Sequence, residues 1–375
     1  MDVCIREVHS KKVLKAFVDF PHRLYAGNAY WVPSLRSDEM NTLNCEKNPA
    51  FVYCEARCWL AYEGGKVVGR IAGIINRRHK EKWGQSYMRF GWFDVVDDTA
   101  VTLALLEKVE GWAHDEGLTA VHGPMGFTNL DHAGMLVEGF EELATQAAGH
   151  NYAYYRDHMA QAGYEKDVDY LEYEIPIPDA VDSKITKLAE LVLKRNNLHL
   201  LEMGDKKELL PYAHELFDML GAEYKHLYGV VPLSEEQVDA YINQYFGFIS
   251  PEFVPVIVDA GGCMVAFGVT IPSLSKALQR SKGRLFPFGV FHLMRALKKN
   301  DRADLVLVAV AKKYQGKGVN AVLINRMLEV FHNFGIKKVE SNPELESNIA
   351  VQAQWKHFER RQHKRRRIYI KHLGN

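Results

Sequence analysis

A mixed α/β fold, built from two copies of one sheet-and-helix unit in tandem, is predicted by three features of the 375-residue sequence. The first is an apolar strand, Val306-Leu-Val-Ala-Val310, which runs into a glycine loop and then into an amphipathic helix starting at Val319. The second is a repeated helix-to-strand junction: Trp112-Ala-His114-Asp-Glu-Gly117-Leu-Thr-Ala-Val121 recurs as Val330-Phe-His332-Asn-Phe-Gly335-Ile-Lys-Lys-Val339, 218 positions later. The third is a repeated hairpin about a Gly-Gly turn, at 59–73 and again at 256–269, with an offset of 197. The difference between the offsets, 218 − 197, gives the second copy 21 extra residues between hairpin and helix.

The elements follow in order. In the first copy, Val101, Leu105, Leu106 and Val109 share the 3.6-residue period of one helix face, and under the 218 offset they fall on Val319, Leu323, Ile324 and Met327. Two prolines in Glu174-Ile-Pro-Ile-Pro-Asp179 stop strand pairing and stiffen a linker, which divides the chain into domains 1–178 and 179–375. The second domain is expected to hold a strand at 199–203, helices at 207–220 and 234–246, a hairpin at 254–271 and an insertion at 273–302. A strand at 305–310, a helix at 319–334, a strand at 337–341, a helix at 348–359 and a final strand at 366–372 complete it.

With 47% hydrophobic residues the chain can fill two cores. No run of 18 apolar residues occurs, and Met1-Asp-Val-Cys-Ile-Arg has neither the basic nor the apolar block of a signal peptide, so a cytoplasmic protein is expected. Cys4, Cys45, Cys54, Cys58 and Cys263 show no zinc spacing; reduced thiols and no metal are expected. Net charge is zero, yet residues 1–180 carry 18 basic against 27 acidic groups and the remainder 29 against 20. The basic surplus gathers in 276–302 and in 356–371, each with eight Lys/Arg and one acid. For the second run a solvated helix end and strand, a contact for cofactor phosphates and an anionic-polymer or lipid patch all stay open. No zinc fingers or aromatic-basic repeats accompany it, so no nucleic-acid partner is expected.

The glycine loop carries the chemistry. Gly316 and Gly318 can adopt left-handed backbone angles, which turns several N–H groups toward one anion at a helix N-terminus. Lys312, Lys313 and Lys317 add positive charge, so the loop reads as a pyrophosphate cradle. Its spacing matches neither the nucleoside-triphosphate loop nor the dinucleotide fingerprint. Gln315-x-x-Gly318-x-Asn320 instead resembles the Gln/Arg-x-x-Gly-x-Gly/Ala signature of the GNAT superfamily of acyl-coenzyme A N-acyltransferases, with Asn320 in place of a small residue. The repeat then resembles two GNAT-like domains in tandem, each a splayed mixed sheet flanked by helices. In the first copy the aligned positions are Asp97, Asp98, Thr99 and Ala100, which suit a helix cap and no phosphate. That half is expected to shape the acceptor side or to be structural.

The resemblance implies an N-acyltransferase that moves an acyl group from acetyl-CoA or another acyl-CoA to a primary amine by direct attack. It places the cofactor on Gln315, Gly316, Lys317, Gly318, Val319 and Asn320, with the pantetheine arm along Val308 and Val310 and beside Asn348. Candidate bases are Glu340, Glu344 and Glu346; Glu344 and Glu346 equally suit the first turn of a helix, and Asn348 its cap. The helix tyrosine that serves the family as acid is replaced by Trp355, which leaves Tyr224, Tyr228, Tyr314 or water. An N-acetyltransferase is the first expectation. A long-chain enzyme acting on a lipid amine such as a sphingoid base, and a non-catalytic CoA-binding or scaffolding protein, are the alternatives. Leu285-Phe-Pro-Phe-Gly-Val-Phe-His-Leu-Met294, flanked by Lys282, Arg284, Arg295, Lys298 and Lys299, is either a lid packed on its own core, an acyl-chain wall, or a contact with an anionic membrane through 276–302. The loop 122–132 either lines a cleft between the halves or is only turns.

Overall fold

The computed structural model describes residues 3–356 and 358–374. The first copy contributes β1 (Cys4–Glu7), α1 (Lys11–Leu24), α2 (Arg36–Thr42), β2 (Cys54–Glu63), β3 (Lys66–Asn76) and α3 (Arg77–Trp83). It continues with β4 (Tyr87–Val95), α4 (Thr99–Asp115), β5 (Ala120–Gly123), β6 (Met135–Glu138), α5 (Tyr155–Gln161) and β7 (Glu165–Pro176). The second copy opens with α6 (Ser183–Asn196), β8 (Leu198–Leu200), α7 (Lys206–Leu209), α8 (Ala213–Tyr224) and α9 (Glu235–Tyr245). The hairpin β9 (Val256–Asp259) and β10 (Met264–Pro272) leads to the inserted pair α10 (Ser275–Ser281) and α11 (Gly289–Lys298). Then come β11 (Arg302–Val310), α12 (Val319–Phe334), β12 (Lys338–Ser341), β13 (Glu344–Leu345), α13 (Ile349–Gln352) and β14 (Arg361–His372).

The repeat is visible in three dimensions. Both hairpins turn on glycines in the left-handed region, Gly64 and Gly65 in one and Gly262 in the other. Asp98 caps α4, accepting from the Ala100 N–H at 2.8 Å, and Val101, Leu105, Leu106 and Val109 bury the helix against the sheet. The α12 helix repeats the arrangement with Val319, Leu323 and Met327 buried, and Gly335 at φ 72° ends it. In each copy a nine-residue strand pairs in parallel with the strand after the helix over its first residues only: Tyr87–Arg89 with Ala120–His122, and Arg302–Leu305 with Lys338–Ser341. Beyond these pairs the strands part.

One continuous sheet joins the copies in the order β1-β2-β3-β4-β5-β14-β7-β12-β11-β10-β9-β8. The last strands of the two copies are exchanged. Strand β14, from the chain's end, pairs with β5 of the first copy, while β7 of the first copy pairs with β12 of the second. The basic run at 356–371 is therefore not a solvated end or a phosphate contact. Its residues from Arg361 onward form a central strand whose cations meet acids on β7: Lys364 and Arg366 on Glu172, Arg365 and Arg367 on Asp169, Arg361 on Glu174. The opposite charge imbalance of the two halves meets along this seam. Glu172 is fully buried; burial would raise its pKa, but the Arg366 and Lys364 charges outweigh that and hold it below the ordinary range.

Two expectations need correction. The helix expected at 348–359 is only α13 followed by a 3-10 turn at Ala353–Trp355, because the strand that follows begins at Arg361; residue 357 lies outside the described residues. Helix α6, absent from the expected order, is capped by Asp182 and packs Ala189 and Val192 against α12.

Candidate active site

The glycine loop has the conformation its sequence requires. Gly316 (φ 73°) and Gly318 (φ 81°) are both left-handed, and Gly318 caps α12 with no side chain of its own in the way of the helix N–H groups. A Cβ on Gly318 would meet Cγ2 of Val192 at 3.0 Å, so α6 roofs the loop closely. The Gln315 amide donates to the Val310 carbonyl at 2.9 Å and to Glu223 at 2.8 Å, and Glu223 also accepts from the Lys312 N–H at 3.0 Å. Lys313 and Lys317 flank the Tyr314 ring at 5.2 and 5.3 Å. Val319 is buried beneath the loop and Asn320 half-buried at its side. Two glycines, an open helix N-terminus and two lysines fit a pyrophosphate.

Strand β11 carries a bulge that its sequence does not announce. Its register with β10 slips between Val269 opposite Leu307 and Thr270 opposite Leu305, which leaves Val306 as the extra residue. From there β11 has no strand on the β12 side. Three carbonyls along this edge are instead held by side chains: Val306 by the Asn342 amide at 3.0 Å, Val308 by the Tyr224 hydroxyl at 2.9 Å, and Val310 by Gln315. The edge runs from the bulge to the glycine loop, which is the course expected for a pantetheine arm.

The three candidate glutamates have different surroundings. Glu340, one residue before the end of β12, lies in a buried cluster, bonded to the Lys364 ammonium and 3.3 Å from His363 Nε2. One ligand atom each from Glu172, Glu340 and His363 lie within 4.8 Å of one another, but Lys364 already sits on both carboxylates and supplies the positive charge there. Glu346 is drawn to Lys166 (2.5 Å) and Arg365 (3.1 Å). Glu344 accepts from Trp355 Nε1 at 2.8 Å, while its Oε2 is buried without a partner, and burial raises its pKa to about 7. Asn348 caps α13, accepting from the Val351 N–H at 3.4 Å. Tyr224, on α8, is pushed up to about 12 by burial and by the Glu344 charge, so its hydroxyl keeps its proton.

An acid that no motif in the sequence singles out lies closer to the bulge. Asp304 sits two residues before Val306 on β11, and burial together with the Glu340 charge raises its pKa to about 7. The sequence does carry a signal for it: a lone carboxylate in the apolar run Ala303-Asp-Leu-Val306 has to be accounted for.

A cavity of about 410 Å³ opens between the halves, and Asp304, Val306, Glu340 and Asn342 line one end of it. Its walls are apolar: Leu209, Leu216, Phe217, Ile242, Phe246 and Ile249 from the second copy, with Trp31, Leu35 and Trp92 from the first. The loop 122–132 contributes Met125, Leu130 and His132. The first copy also supplies a polar corner, where Arg70 donates to Asp94 (2.7 Å) and Glu39 (3.2 Å) and the Tyr25 hydroxyl to Asp94 (2.9 Å). Nearby His150 is neutral, its pKa lowered to about 4 by burial and by Arg366 and Lys364.

Comparison with known proteins agrees with this geometry. Residues 214–358 match the model of the acetyltransferase (GNAT) family. The chain is 28% identical to the protein YghO of Escherichia coli K12, over 98% of this chain and 95% of that one. It is 26% identical to a bacterial ceramide synthase of Caulobacter vibrioides, over 93% and 92%. Among solved structures it shares its fold with a tandem GNAT protein from the clavulanic acid pathway (TM-score 0.56, 13% identity, 100% and 99% covered). A GCN5-related N-acetyltransferase of Sphaerobacter thermophilus is also similar (TM-score 0.52, 12% identity, 99% and 95% covered). Residues 214–358 thus match the GNAT family, and the whole chain, with the signature loop in its second copy and splayed strands in both, has the fold of tandem GNAT proteins.

Proposed function

We propose that this protein is an acyl-CoA-dependent N-acyltransferase whose acceptor is a long-chain lipid amine of the sphingoid-base kind. The observation that carries the reading is the apolar cavity that ends at Asp304 and the β11 bulge. A small hydrophilic amine would leave those walls in water, whereas an alkyl chain is stabilised there by about 25 cal/mol per Å² covered. The name of the Caulobacter relative is in keeping with this.

Acyl-CoA supplies the activated thioester carbonyl. Asp304 takes the proton that the amine must lose, since a carboxylate with a pKa of about 7 is both ionised and basic enough near neutral pH. The bulge at Val306 aims backbone N–H groups at the carbonyl oxygen as charge gathers on it. Tyr224 at the Val308 carbonyl gives a proton to the departing thiolate in place of the tyrosine that Trp355 replaces. The products balance as an N-acyl amide and free coenzyme A. Glu340 and the Lys364 ammonium set the charge around Asp304, and Glu344 adjoins Tyr224.

Purified protein given palmitoyl-CoA and sphinganine should release free thiol and form an N-acyl lipid detectable by mass spectrometry. Acylation of spermidine or glucosamine with no lipid product at any acyl length would overturn the lipid reading and leave a small-amine enzyme.

A further inference from the structure

The inserted pair α10–α11 carries an exposed apolar surface that the site does not use. Phe286, Phe288 and Phe291 are 78%, 72% and 81% exposed, joined by Val290 and Met294 at 40% and 44%. Soluble surfaces rarely hold three such rings within six positions. The exposure does not come from a loosely attached lid. Gln279 donates to the carbonyls of Ala29 and Trp31, both at 2.9 Å, and the Gly283 carbonyl accepts from the Arg36 N–H at 3.0 Å. Gly283 is so close that a Cβ would lie 2.3 Å from the Ser34 oxygen. Leu278 and Leu293 are buried against Val32 and Leu35, so the inner face is fully used while the phenylalanines face outward.

Charge selects the occupant. Lys282, Arg284, Arg295, Lys298 and Lys299 surround the rings, all exposed, and among the described residues none is paired with a carboxylate. A second copy of this chain would bring five cations against five. An anionic bilayer offers both complements at once: acyl-chain boundary for the rings and phosphates for the cations. Leu278, on the inner face of the same pair, lines the cavity with Leu35.

We propose that α10–α11 is an interfacial membrane anchor that sets the cavity beside the lipid surface from which the amine enters. The entry route rests on the lipid-amine reading; the docking does not, and is measured without turnover. The probes are vesicles of phosphatidylcholine alone and of phosphatidylcholine with about 30% phosphatidylglycerol, in a sedimentation assay at low and high salt. The whole chain should partition onto the anionic vesicles at least tenfold better than onto the neutral ones, and lose this in high salt. The triple variant F286S/F288S/F291S should lose at least tenfold, and K298E/K299E should lose the dependence on anionic lipid. Because all five side chains are exposed, an unchanged melting temperature is expected and confirms that folding is not the cause. Equal sedimentation of wild type and triple variant, no binding to anionic vesicles, or a dimer in solution that the serine changes dissociate would each overturn the anchor. If docking holds while no N-acyl lipid forms, the substrate reading fails and the anchor stands. If an N-acyl lipid forms without docking, the anchor fails and the substrate reading stands.

Discussion

Burial beside Glu340 lifts Asp304 out of the ordinary carboxylate range. Its pKa of about 7 lies above the ordinary 3.8, so the folded state favours the protonated form, and the stability that form contributes is present in acid and lost as pH rises toward 7. Asp304→Asn removes that loss: its melting temperature should exceed the wild type's by more at pH 8 than at pH 4, as read by differential scanning fluorimetry. Activity should move the other way. With wild type, kcat/KM is expected to rise with pH and level off above about 7, and Asp304→Asn should cost roughly 10²–10⁴-fold. Glu344 also titrates near 7, so the decisive comparison is Glu344→Gln, which should keep the acid limb of the profile that Asp304→Asn abolishes. At the loop, Gly318→Asp puts a Cβ at φ 81° against Val192 and a like charge at the phosphate position. Calorimetry should show coenzyme A affinity reduced at least 100-fold (about 2.7 kcal/mol). The loop residues and the acids of 340–346 are legible in the sequence because glycine spacing and clustered carboxylates are local patterns. Asp304 and the Val306 bulge are not, since their meaning depends on which strand leaves the edge of β11 open, and for the same reason the sequence does not separate Tyr224 from Tyr228 and Tyr314.

Among the elements, α4 and α12 show what becomes of a repeated helix when its start is rewritten. Asp98 gives α4 a side-chain cap where Gly318 leaves α12 open. Asp98→Ala should therefore lower stability by about 1 kcal/mol and leave coenzyme A affinity unchanged, which denaturation and calorimetry would check together. The 3.6-residue period locates α12 to the residue and the glycine turns locate both hairpins, because a helix with one buried face and a two-strand ribbon are each encoded within a short window. Helix α6 escapes such a window: Leu188 and Leu191 remain exposed while only Ala189 and Val192 are buried, so its burial against α12 owes more to position than to pattern. The expected helix at 348–359 fails for a related reason. The α-helix stops at Gln352 because the chain must be extended by Arg361, where β14 begins to pair with Glu174 of β7.

Across the whole molecule, the exchange of β7 and β14 cannot be foreseen from a linear repeat, since each copy holds the strand the other pairs with. The charge asymmetry of the halves is its trace. Lys364 is 1% exposed between Glu172 and Glu340, and Lys364→Met would leave buried Glu340 without its ammonium and Glu172 with Arg366 alone. A loss of roughly 3–5 kcal/mol is expected, measured by urea unfolding near neutral pH. The pairing of Gly123 with Tyr369 has a further effect during synthesis. A ribosome adding about 5–20 residues per second leaves the edge of β5 without its neighbour for roughly 10–50 s after it emerges. Through that interval the nascent first copy presents an open strand edge to everything around it, until the residues of β14 arrive to cover it.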